Sequence, residues 1–184
     1  MAVSKKLSLI LIFSFIIGAF SIIFLGKKLK LEIKNIAKLR FDSFYTTYIK
    51  TRPRVKINNT EIFVFLARSS REKARGLSGR SKLGEYEGML FIFENKSYPS
   101  FWMKDMNFPI DIIWISDGKI VGIEKNIPNP EPVTDKRTVQ EDSQLIRYRP
   151  TIGIDYVLEV NAGFSEKNML KVGDNVNLVN LTSK

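Results

Sequence analysis

The sequence predicts a mainly β domain, a small antiparallel barrel or sandwich with one short helix, preceded by an N-terminal transmembrane helix. Three observations carry that prediction. Leu7–Leu25 (LSLILIFSFIIGAFSIIFL) is a run of 19 residues without a charge. After Arg52-Pro53 the pattern changes to short runs rich in Ile, Val, Phe and Trp, separated by Asn, Asp, Gly and Pro, which is the pattern of strands and turns. Helix is scarce there, and Ser69-Ser70-Arg71-Glu72 has the form of a capping box that opens one short helix.

The apolar run comes first. As a helix rising about 1.5 Å per residue it spans roughly 28 Å, close to the ~30 Å hydrocarbon core of a bilayer. It is longer than the apolar core of a secretory signal, and cleavage after Ala19-Phe20-Ser21 would leave four apolar residues at the new N-terminus. An uncleaved anchor over residues 1–26 is therefore expected. Residues 27–52 follow as a basic segment with apolar positions at Leu29, Ile33, Ile36, Phe44 and Tyr48, near helical spacing. Two readings fit it: an amphipathic helix lying on anionic headgroups, or a helical stalk continuing the anchor.

The charge distribution supports a membrane over a nucleic acid as partner. The 184-residue chain carries 29 Lys and Arg against 19 Asp and Glu, a net +10. Residues 1–50 hold nine basic and two acidic residues, a net +7, which leaves +3 on the remainder. A nucleic-acid-binding domain carries its basic patch on the folded body; here the excess flanks the apolar run. Orientation is ambiguous by charge, because Lys5 and Lys6 precede the run while Lys27, Lys28, Lys30 and Lys34 follow it.

The domain is expected over residues 53–184. Val55–Ile57 and Glu61–Ala67 flank Asn58-Asn59, and Asn tolerates the positive φ of a hairpin turn. Ser69 and Glu72 then open a helix over 70–75, and Gly76 sits at its C-terminal cap. Further strands are expected at Gly88–Phe93, Ser100–Met103, Ile110–Ile115, Lys119–Glu124, Thr151–Asn161 and Asn175–Val179, with Asp117-Gly118 as a hairpin turn. Residues 127–150 contain Pro128, Pro130, Pro132 and Pro150 and no alternation, so they predict a long surface loop.

Composition narrows the chemistry. The chain has no Cys and no His. That excludes thiol nucleophiles, disulfides, thiolate or imidazole zinc sites and histidine triads. Catalysis would fall to carboxylates, Lys, Arg, Tyr or hydroxyls. No metal site and no cofactor is expected. The most unusual stretch is Phe101–Ile115 (FWMKDMNFPIDIIWI), where Lys104, Asp105 and Asp111 lie among aromatics. Asp111 shares a strand face with Ile113 and Ile115, and Glu159 shares one with Val157. A carboxylate on an apolar face needs a partner or a proton, and Lys104, Arg75 and Arg80 are candidate partners. These residues together predict a polar pocket of Arg75, Arg80, Trp102, Lys104, Asp111 and Glu159. Three readings follow. Asp111 and Glu159 could be a catalytic carboxylate pair acting on a glycan. The group could bind a polar or anionic envelope ligand without catalysis. Or the aromatics are core, and the carboxylates pair with Arg or cap amides. Arg75-Gly76-Leu77-Ser78-Gly79-Arg80 also has the composition of an anion-binding loop.

Several motifs in order resemble one family. They are Arg75-Gly76-Leu77 with Arg80, Glu87–Phe93 (EGMLFIF), Phe101-Trp102-Met103-Lys104, Pro109–Ile112, Val157–Gly163 and Val172-Gly173-Asp174. Together they resemble the bacterial and archaeal domain-of-unknown-function family numbered 192, over roughly residues 54–180. The resemblance implies a small, mostly β domain, often exported behind a signal or anchor, and no established enzyme activity. It favours a body held outside the cytoplasm, against the strict charge count. The chain departs from the family pattern at Asp105-Met106-Asn107, where an Asn-Thr-type pair is common, and in its long 128–150 loop.

Overall fold

The computed structural model describes residues 2–130 and 145–181, with backbone alone for 2–24, 41 and 44. The chain divides into two compact units, 1–50 and 51–184. The first is one continuous helix, α1 (Ala2–Thr51). Its apolar side chains at Leu25, Leu29, Ile33 and Ile36 are exposed. Among the residues described with side chains no helix is long and apolar enough to cross a membrane. The expected span at Leu7–Leu25 lies outside those residues apart from Leu25.

The second unit holds β1 (Arg54–Ile57), β2 (Thr60–Ala67), α2 (Ser70–Arg75), β3 (Glu87–Ser97), β4 (Ile110–Ser116), β5 (Lys119–Ile127), β6 (Ile154–Asn161), α3 (Phe164–Lys167) and β7 (Val176–Val179). The strands form one seven-stranded sheet in the order β5-β4-β6-β3-β2-β1-β7. The expected turns form as their residues dictate. Asn58 (φ 53°) turns β1 into β2, and Asp117 (φ 50°) with Gly118 (φ 68°) turns β4 into β5. Ser69 caps α2, accepting from the Glu72 amide while Glu72 accepts from the Ser69 amide.

The sheet curls into a half-barrel. Its two edge strands meet at one end, where Lys119 bridges Asn175. The Val176 amide donates to the Gly118 carbonyl (2.8 Å), the Gly173 amide to the Ile120 carbonyl (2.8 Å) and the Ile120 amide to the Asp174 carbonyl (3.0 Å). Asp174 fixes the seam by accepting from Asn58 Nδ2 (2.9 Å) and the Lys171 amide (3.0 Å).

Three expectations need correction. The sheet is not wholly antiparallel, because β2 and β3 run parallel (Phe63 opposite Glu87 through Ala67 opposite Phe91). Parallel neighbours need a crossover, and residues 68–86 with α2 supply it. Ser100–Met103 is no strand; only Phe101 pairs, in an isolated bridge to Tyr148. The body also holds a second short helix, α3.

Both faces of the sheet are buried. One packs Ile62, Val64, Leu90, Ile113, Ile115, Leu158 and Val160 against Phe164 and Leu170. The other packs Ala67, Met89, Phe91, Ile112, Trp114 and Val157 under Leu77, Leu83, Met103 and Met106. That second cover is made of α2 and irregular chain, and it does not close completely.

Candidate functional site

The two carboxylates singled out in the sequence lie on adjacent strands and point to opposite faces. Asp111 of β4 is opposite Val160, whereas Glu159 of β6 is opposite Ile112 on one side and Met89 on the other. Directly opposed residues share a face. Asp111 therefore belongs with Val160 and Glu159 with Met89 and Ile112.

Asp111 is fully buried and saturated. Its Oδ1 accepts from the amides of Asn126 (2.8 Å) and Gly163 (3.1 Å), and its Oδ2 accepts from the amide of Ser165 (2.9 Å). Gly163 has no side chain with which to cap α3, and the Asp111 carboxylate takes that place from across the fold. Asp111 is a structural clamp.

Glu159 is 5 % exposed, and its Oε2 has no hydrogen-bond partner among the described residues. Burial pushes its carboxyl up to about 8, because the charged form loses its hydration. The group is therefore mostly protonated at neutral pH. It lies against a cavity of about 280 Å³. Four pieces of chain build the walls: Lys73 and Arg75 of α2, the turn Gly76-Leu77-Ser78, Phe91 and Phe93 of β3, and the stretch Pro99–Trp102. Met106 completes them. Gly76 has φ +50°, and a Cβ there would stand 3.3 Å from the Phe91 ring. Both the cap conformation and the close approach therefore favour glycine.

The aromatic walls are held by edge contacts. Phe91 meets Phe101 at 4.8 Å between ring centroids, and Phe101 meets Trp114 at 5.6 Å. Two ring faces carry cations: Lys73 Nζ sits 4.5 Å from the Phe93 centroid, and the Arg147 guanidinium 3.9 Å from that of Trp102. Ser100 also lines the cavity, and its hydroxyl is buried without a partner among the described residues.

The predicted group is thus brought together only in part. Arg75, Trp102 and Glu159 line the cavity; Arg80, Lys104 and Asp111 do not. Arg80 instead stacks 4.1 Å from the Phe65 centroid. The Lys104 carbonyl accepts from Ser78 Oγ (2.8 Å), tying the two loops together. The expected anion loop is not available as a cradle. The amides of Gly76, Ser78, Gly79 and Arg80 already donate to Glu72, Arg75, Asp105 and Leu77. A catalytic pair of Asp111 and Glu159 does not form, since the sheet separates them and Asp111 is fully engaged. Glu159 is the one acid lining the cavity among the described residues. Lys73, Phe91, Phe93 and Ser100 escaped the sequence reading, because their convergence depends on the β2–α2–β3 crossover. The alternation of Phe91 and Phe93 with Met89 was the available signal. No group of three or more acidic residues among those described is placed to hold a metal ion.

Comparison with known proteins agrees with this architecture. A protein of unknown function from Novosphingobium aromaticivorans has a similar structure, with a TM-score of 0.58 and 27% identity over 67% of this chain and 83% of that one. A second similar structure comes from Sinorhizobium meliloti and is provisionally described as a transcription regulator. Its TM-score is 0.58 and its identity 25%, covering 71% of this chain and 94% of that one. No curated protein matches the chain. The profile of DUF192, described as Uncharacterized ACR, COG1430, matches residues 53–178. With residues 53–178 matched, more than half its length, the chain belongs to the DUF192 family.

Proposed function

We propose that this protein is a membrane-tethered binding domain, displayed outside the cytoplasm at the cell envelope, whose ligand occupies the cavity over Glu159. One observation carries the binding reading: Glu159, whose buried carboxyl keeps an oxygen with no hydrogen-bond partner among the described residues, lines an aromatic-walled cavity. Buried polar groups are normally satisfied, and a group that the fold leaves unsatisfied beside a cavity suits a partner from outside. The tether is supported by the uncharged run Leu7–Leu25 with lysines on both sides. The glycan hydrolase reading loses its second carboxylate. The regulator description of the S. meliloti protein finds no support here, because most of the excess positive charge lies in residues 1–50.

The test titrates the full chain in detergent micelles with envelope glycan fragments, small anions and amino acids, by calorimetry. Saturable binding that Trp102→Ala weakens is expected. No binding of any class at millimolar concentration contradicts the proposal. Protease treatment of intact against permeabilised cells tests the orientation. Cleavage of the body in intact cells is expected, and protection until permeabilisation would assign a cytoplasm-facing, lipid-gripping protein instead.

A further inference from the structure

The residues lining the cavity make two chemical demands. The Glu159 carboxyl has an oxygen with no donor among the described residues, and the Ser100 hydroxyl has no partner among them either. Beside them stand the rings of Phe91, Phe101 and Trp102. From α2, exposed Arg75 contributes a guanidinium with no ion-pair partner among the described residues. A purely anionic ligand would satisfy Arg75 and leave Glu159 alone. A purely cationic one would satisfy Glu159 and face repulsion from Arg75 and Lys73.

Resting on the binding reading above, we propose that the ligand is a small zwitterion of the amino-acid type, its ammonium group against Glu159 and its acid group against Arg75. An ammonium gains twice in this cavity. It pairs with the carboxylate in a setting of low dielectric, and it meets the negative faces of aromatic rings. The ring faces already attract cations, since Lys73 lies over Phe93 and Arg147 over Trp102. The guanidinium of Arg75 suits a carboxylate through paired N–H donors. At about 280 Å³ the cavity is small for a ligand pocket, in keeping with a ligand of one residue. The proton balance is simple. Free Glu159 holds a proton at neutral pH; when an ammonium binds beside it, the carboxyl ionises and that proton passes to solvent.

Calorimetry of the full chain in detergent micelles, in two buffers of different ionisation enthalpy at pH 7, reads affinity and proton release together. The probes are L- and D-phenylalanine (zwitterions), N-acetylphenylalanine (anion), phenylethylamine (cation) and N-acetylglucosamine (neutral). At least one phenylalanine enantiomer is expected to bind about tenfold or more tighter than the other classes, with close to one proton released. Glu159→Gln is expected to abolish the proton release, and Arg75→Ala to erase the preference for phenylalanine over phenylethylamine. A thermal midpoint for each variant shows that it is folded. If N-acetylglucosamine or N-acetylphenylalanine binds as tightly as phenylalanine, without proton release, the cavity remains a binding site and the zwitterion assignment is overturned. If none of the probes binds, the zwitterion assignment is overturned outright.

Discussion

Asp111 and Glu159 are both buried carboxylates on neighbouring central strands, yet the fold treats them in opposite ways. Asp111 accepts three backbone amides and caps α3. Glu159 keeps an oxygen that no described residue satisfies. The two faces of the sheet differ in the same sense: one is closed by strands and α3, the other by α2 and loops that leave a cavity. Burial of an acid alone therefore does not mark a site. What separates a clamp from a binding group is whether the chain supplies the partner.

The largest expected effect falls on the clamp. Asp111→Ala leaves three backbone amides, that of Ser165 buried, without their acceptor and is expected to lower stability by about 3–5 kcal/mol, measured by urea unfolding. A loss under 1 kcal/mol would erase the contrast between the two acids. At Glu159 the effect lies in the pH dependence. Its carboxyl rises from an ordinary 4.5 to about 8 in the folded chain. The folded state thus holds a proton that the unfolded state gives up. Stability from this group is fully present below about pH 4.5 and falls as pH rises towards about 8, where the slope levels off. The total change is on the order of a few kcal/mol, and Glu159→Gln is expected to remove it. Equal slopes in the two proteins would contradict the burial argument.

Gly88 tests the packing on the sheet face turned away from the cavity. A Cβ there would stand 2.6 Å from the Glu159 carbonyl oxygen, which is backbone and cannot turn aside. Gly88→Ala is expected to destabilise by about 1–3 kcal/mol, read as a lower thermal midpoint. The smallest effect belongs to Arg75→Ala. Arg75 is exposed and its side chain makes no hydrogen bond or ion pair among the described residues, so stability should change by less than about 0.5 kcal/mol. A larger loss would make Arg75 part of the scaffold.

Much of the fold was legible because its signals are local. Asp117-Gly118, Asn58-Asn59 and the Ser69–Glu72 box each depend on a few adjacent residues, and each formed as expected. The carboxylates were legible as misfits on apolar faces for the same reason. Their separation was not, because alternation assigns faces within one strand and says nothing across strands. Only the register, with Asp111 opposite Val160 and Ile112 opposite Glu159, sets them apart. The parallel β2–β3 pair was hidden likewise, since a crossover through 68–86 is a long-range choice. Ser100–Met103 has strand composition, but Phe101 is drawn to Tyr148 and Trp102 to Arg147, leaving a cavity wall in place of a strand.

The central claim is that Glu159 is an acid without an internal partner. Titration of its side-chain carboxyl by carbon-13 NMR, in the selectively labelled full chain without ligand, tests it most directly. A midpoint near 8 is predicted. A midpoint near the ordinary 4.5 would mean that the fold or its solvent already satisfies the carboxylate, and would contradict the account.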